Sequence, residues 1–138
     1  MKAQNVEELF GTLQQSIVAE WRKHLQTSKY SGHMALDEFY KEMPEKVDSL
    51  IETYQGHMGK KVENYTNILK AEDYNELEYL EQLHELAESG RPFMDGASEL
   101  ESALDDCIGM IDSTMYKLRE LSEGMKSLRD YLVESINK

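Results

Sequence analysis

Residues 21–56, WRKHLQTSKYSGHMALDEFYKEMPEKVDSLIETYQG, decide how this chain folds and what it offers chemically. An α-helix turns by about 100° per residue, so with His33 at zero Asp37 falls at about 40°, Asp48 at about 60° and Glu52 at about 100°. These four make one polar stripe. On the same wheel Leu36, Tyr40, Met43, Val47, Ile51, Tyr54 and Met58 occupy about 280° to 360°, the face that packs into a core. The stripe therefore borders the core face, where a metal centre at the edge of a helical bundle would lie.

Outward from this stretch the chain reads as helix throughout. Asn5 followed by Glu8 predicts a capped start, and Val6, Leu9, Phe10, Leu13, Ile17 and Trp21 recur at helical steps. His24 sits at the centre of that apolar stripe, with Glu20 one turn earlier. Two readings of His24 stand: a packed histidine hydrogen-bonded to Glu20, or a ligand. Residues 26–32 are a short polar connection. The second helix runs from about His33 to Met58, with a kink or break expected at Pro44, and Gly56 and Gly59 close it. Residues 60–70 have no clean period and are expected to cross between helices. Asp73 with Glu76 predicts the start of a third helix, carried by Leu77, Leu80, His84 and Ala87 to Ser89 and Gly90. Ser98 with Glu101 opens a fourth stripe of Leu100, Leu104, Cys107, Ile108, Ile111, Met115 and Leu118, continued by Met125, Leu128 and Leu132. One helix over 98–136 would span about 58 Å. That length favours a break at Gly124, leaving residues 123–138 as an extra helix or as an overhang that contacts another subunit. The expected fold is all-α, an antiparallel four-helix bundle forming a single domain over residues 1–138.

Composition narrows the function classes. With 27 acidic against 15 basic residues the formal net charge is -12, which excludes nucleic acid as the expected partner because phosphate binding needs clustered cations. No apolar run approaches the ~18 residues of a membrane span, and MKAQNVEELF lacks a signal-peptide core. A cytoplasmic protein is expected. The single cysteine, Cys107, has no partner for an intramolecular disulfide.

The stripe's chemistry is that of a metal site. Carboxylates take hard cations and can bridge two of them, while imidazole favours iron, zinc or copper over calcium and magnesium. Asp48 and Glu52, at i and i+4, can grip one ion with a histidine from elsewhere, and His33 with Asp37 can contact a second. The plainer reading is a solvated polar face in which Lys41 pairs with Asp37. Glu81 and His84 have the Glu-x-x-His spacing of di-iron proteins, but one such pair reads as an exposed i,i+3 contact. His57 lies where the dipole at the end of the second helix favours a cation.

His24, a short turn, then His33-x3-Asp37-x10-Asp48-x3-Glu52 resembles the ferroxidase signature of the Dps-like mini-ferritins, over residues 17–59. The resemblance implies a ferritin-like bundle and a homo-oligomer, at least a dimer and by family a dodecamer. It also implies an iron site between subunits: Asp48 and Glu52 of one chain with His24 of its neighbour, and His33 and Asp37 at a weaker second position of a di-iron centre. Ferroxidase activity and Fe(II) sequestration follow as expectations. No lysine-rich tail is present, so the DNA-binding half of that family's role is not implied. The whole chain, including LESALDDCIGMIDSTMYKLREL at residues 100–121, is also similar to a family of uncharacterised tailed-bacteriophage proteins. That likeness implies a phage origin and the host cytoplasm. Lys41, Pro44 and a gap from His24 to His33 shorter than that of the mini-ferritins motivate an alternative, a phage-type helical interaction protein with a degenerate site; the same ligands also allow a redox-inert bundle that binds zinc or manganese.

Overall fold

The computed structural model describes residues 1–28 and 30–136, and the side chains of all of these except 31 and 121–131. Four helices account for most of the chain: α1 (Val6–Gln26), α2 (Tyr30–Met58), α3 (Glu76–Ser89) and α4 (Ser98–Ile136), with short 3-10 turns at Ala71–Asp73 and Arg91–Met94. The predicted cap of α1 is present, with the Asn5 side chain accepting from the Glu8 amide at 3.0 Å.

Helix α1 packs against α2 and α3, and α4 packs against the same two. The direction of each helix follows from pairs at the ends. The 3-residue connection between Gln26 and Tyr30 makes α1 and α2 antiparallel. Met1 meets Glu85 while the Lys23 ammonium meets the Tyr74 carbonyl, so α3 also runs against α1. His57 near the end of α2 meets Asp95 and Glu99 at the start of α4, while Glu38 pairs with Lys117. Every neighbouring pair is thus antiparallel in an up-down-down-up order, which requires one long crossover.

Residues 59–75 are that crossover. Gly59 starts it in the left-handed region at φ 70°, donating its amide to the Gln55 carbonyl at 2.9 Å, a conformation glycine adopts without a Cβ penalty. The strand of chain then climbs along α1. Thr66 donates its amide to the Glu7 carbonyl at 3.0 Å, and the Ile68 amide donates to the Thr12 hydroxyl at 3.1 Å. Gly11 permits this approach, because a Cβ there would lie 2.3 Å from the Thr66 nitrogen.

The core face of α2 is as the wheel predicts for Leu36, Met43, Val47, Ile51 and Tyr54, all buried, and Phe39 and Leu50 widen it. Met58 and Trp21, both expected inside, are exposed. Trp21 is stacked on Tyr40 of α2 with centroids 6.0 Å apart.

Several expected boundaries are corrected. Helix α2 begins at Tyr30, not His33, and passes through Pro44 without a break; Pro44 is exposed, so the lost hydrogen bond is on the solvated side. Helix α3 is capped by Asn75, whose side chain accepts from the Glu78 amide at 2.9 Å, while Asp73 closes the preceding 3-10 turn. Helix α4 is continuous over 39 residues, so Gly124 does not break it. An interior glycine costs a helix only about 1 kcal/mol and removes no hydrogen bond. The Glu38–Lys117 pair places Tyr30, the first residue of α2, level with about residue 125, and α4 continues past the bundle as an overhang. Leu132, Val133 and Ile136 are accordingly exposed there; Met125 and Leu128 lie outside the described side chains.

Candidate functional site at the α1–α2 corner

The short connection between α1 and α2 folds His24 and His33 onto each other. Their rings lie 3.6 Å apart at 32°. The bonding is reciprocal: His24 Nδ1 donates to the His33 carbonyl at 3.0 Å, and His33 Nδ1 donates to the His24 carbonyl at 3.0 Å. A carbonyl only accepts, so each ring carries its proton on Nδ1 and, when neutral, presents a lone pair at Nε2. A carbonyl on one ring nitrogen is the arrangement that orients metal-ligating histidines. His24 is buried, and Tyr40 packs on it at 4.9 Å.

Asp37 joins this pair, with Oδ1 3.7 Å from His24 Nε2. Its other oxygen is taken by Lys41 at 3.0 Å. That hydrogen bond, against the opposing effect of desolvation, holds the Asp37 carboxyl below its ordinary value, and Lys41 is raised in return. The predicted Lys41 pairing is therefore present, and it competes with any cation for Asp37.

Asp48 and Glu52 are exposed on the same side of α2. At 1.5 Å per residue Asp48 stands about 16 Å along the helix from Asp37, and Glu52 about 28 Å from His33. One chain thus brings together His24, His33 and Asp37 and keeps Asp48 and Glu52 apart from them. Among the described residues no three His, Cys, Asp or Glu side chains are grouped so as to hold a metal ion.

The sequence paired His24 with Glu20, and the structure does not. Glu20 is fully buried, and neither carboxylate oxygen has a hydrogen-bond partner. Burial, with Glu76 adding and Lys23 opposing, pushes its carboxyl up to about 8. Tyr79, whose hydroxyl is also unpartnered, is raised by burial and by Glu20. His84 does not contact Glu81; its Nε2 lies 3.1 Å from Asp112 on α4, and Glu81 pairs with Arg119. His57, in the last turn of α2, is held between Asp95 and Glu99.

Sequence reasoning missed a groove beside this corner, between the start of α2 and the middle of α4. It measures about 690 Å³ and has Tyr30, Met34, Ala35 and Tyr116 in its lining. Tyr30 is 78% exposed and Tyr116 62%. Around them Asp37 pairs with Lys41 and Glu38 with Lys117, while Glu42 and Glu120 have no cation among the described residues. The signal was present in the sequence as Tyr30, Met34 and Tyr116, three large side chains off the wheel's core face. No helix is long and apolar enough to cross a membrane among the described residues.

The chain is 25% identical over 118 residues to the "Uncharacterized 14.6 kDa protein in mobD-ri intergenic region" of Enterobacteria phage T4, covering 85% of this chain and 90% of that protein. No solved structure matches the chain significantly. Residues 24–118, which include His24, the four stripe residues and all of the groove's lining except Glu120, match the Family of unknown function (DUF5856), and the chain belongs to that family.

Proposed function

We propose that this protein is a phage-type helical interaction protein, whose α2–α4 groove and projecting α4 overhang take up a basic amphipathic segment of a partner protein in the host cytoplasm. The observation that carries this reading is the groove itself: an apolar floor with large exposed aromatics, bordered by two carboxylates that have no cation among the described residues, on a chain of net charge -12. Apolar exposure of this kind marks interaction sites, and an amphipathic helix lays its apolar face into such grooves. Net charge favours a cationic partner over a second copy, which would bring another -12 to the interface. Titrating the ¹⁵N-labelled protein with a cationic amphipathic helical peptide is the test. Shifts confined to residues 30–42 and 116–136 support the reading; shifts spread over the surface, or none, refute it.

A second reading is favoured by the reciprocal histidine bonds. With both Nδ1 protons committed to carbonyls, His24 and His33 each keep Nε2 as a donor, that of His24 3.7 Å from Asp37, and such donors suit iron, zinc or manganese. These residues fit part of a site. Completing it takes Asp48 and Glu52 from a second copy, and the spacings allow it: in an antiparallel α2–α2 pairing centred between Glu42 and Met43, His33 stands level with Glu52 and Asp37 with Asp48. A bound metal would supply Lewis-acid chemistry, and iron redox chemistry as well; the chain would orient it through the carbonyl-anchored rings. An anaerobic Fe(II) titration, beside Zn(II) and an Asp48→Ala/Glu52→Ala variant, tests this. Saturable binding lost in the variant supports the shared site, and equal binding by both proteins removes it.

A further inference from the structure

A second cleft, which shares no lining residue with the groove, lies between the second half of α1, the crossover and the start of α3. It holds about 930 Å³, at the upper end of small-molecule sites. The cleft is lined by three of the chain's 15 cations, Arg22, Lys23 and Lys70, against two carboxylates, Glu72 and Glu76. A local excess of positive charge is the reverse of the chain as a whole. Arg22 and Lys70 form no ion pair among the described residues, although Glu72 and Glu76 line the same cleft. Lys23 is held in place, with Nζ 3.5 Å from the Tyr74 carbonyl and 5.5 Å from the centre of the Tyr79 ring. Asn67 accepts from the Leu69 amide through Oδ1 at 3.2 Å, which leaves its NH₂ to donate. Two cations without partners, a fixed ammonium and a free amide donor therefore share one concave surface.

We propose that this cleft binds a small oxyanion-bearing ligand of about nucleotide size, with Arg22, Lys23 and Lys70 taking the anionic group and Asn67 a polar group of its body. Arg suits a phosphate or carboxylate through its paired donors, and the lysines add point charge. Glu20 lies behind this wall, next to Ala19 and within the electrostatic reach of Lys23 and Glu76. Burial keeps it protonated at neutral pH, so it adds no charge that would repel the anion.

Isothermal titration of the full chain with inorganic phosphate, a ribonucleoside 5′-monophosphate and a tricarboxylate separates the sources of the oxyanion. The same titrations on Arg22→Gln/Lys70→Gln, with its thermal melt recorded to show that it folds, test the residues. The expected result is saturable one-to-one binding of at least one probe, weakened by more than about tenfold in the variant, because each charge-assisted hydrogen bond contributes about that factor. No saturable binding by any probe at millimolar concentration, or equal binding by a folded variant, overturns the proposal.

Discussion

Replacing Glu20 by glutamine should remove a pH dependence of stability that the wild-type chain carries. Glu20 is at 0% relative exposure with both oxygens unpartnered, and its carboxyl rises from 4.5 to about 8 on folding. Between those two values the folded chain holds a proton that the unfolded chain has released, so stability falls as pH rises. Each pH unit in that window removes about 1.4 kcal/mol. The loss is therefore about 3 kcal/mol at pH 7 relative to pH 4.5, and levels off at about 5 kcal/mol above pH 8. Glutamine keeps the shape and cannot ionise. Urea unfolding of both proteins at pH 5, 6, 7, 8 and 9 measures the difference, in which the contributions of the other carboxylates cancel. Glu20→Gln should match the wild type near pH 5 and exceed it by several kcal/mol at pH 8. A difference that stays constant across this range would show that Glu20 finds a partner or solvent in the folded state, and the reasoning would fail.

Three further outcomes are expected. Gly11→Ala should cost about 2 to 3 kcal/mol, because its Cβ would press on the Thr66 backbone at 2.3 to 2.6 Å, while Gly109→Ala, with nothing within 4 Å, should gain up to about 1 kcal/mol; thermal melts of the pair decide. Arg91 joins Glu88 of α3 to Glu101 and Asp105 of α4 at 2.6 to 3.0 Å. Being about one-third exposed, this network should lose only about 1 kcal/mol in Arg91→Ala, and the loss should shrink as pH falls through the lowered Glu88 value, as unfolding at pH 7 and pH 3 will measure. The imidazole of His57 is raised, chiefly by its hydrogen bond to Asp95. Its stabilisation is full below the unfolded value and is lost as pH rises through the folded one, and an NMR titration of Asp95→Asn should show His57 titrating lower than in the wild type.

The fold was legible wherever one period ruled. The α2 wheel located Leu36, Met43, Val47, Ile51 and Tyr54 in the core, and Asn5 announced its own helix. What misled were residues whose penalty depends on surroundings. Pro44 stayed inside α2 because its unsatisfied side faces water, and Gly124 stayed inside α4 because a glycine alone does not end a helix. Trp21 follows the periodicity and still lies outside, stacked on Tyr40.

The candidate site was half legible. Spacing brought His33 and Asp37 to one face, and the turn brought His24 to them. Spacing could not reveal that His24 would choose the His33 carbonyl over Glu20, because that depends on the three-residue turn folding the rings together. Of the groove only its large side chains, Tyr30, Met34 and Tyr116, were legible; that they share one surface was not, since it is made by two helices nearly 80 residues apart, tied by Glu38 and Lys117.

The affinity of a cationic amphipathic peptide for the wild-type chain and for Met34→Glu/Tyr116→Glu, measured by calorimetry at two salt concentrations, tests the central claim most directly. The account predicts saturable binding that weakens with salt, is absent for an acidic peptide of the same pattern, and falls by at least about tenfold in the variant. Binding that the two glutamates leave unchanged would contradict it.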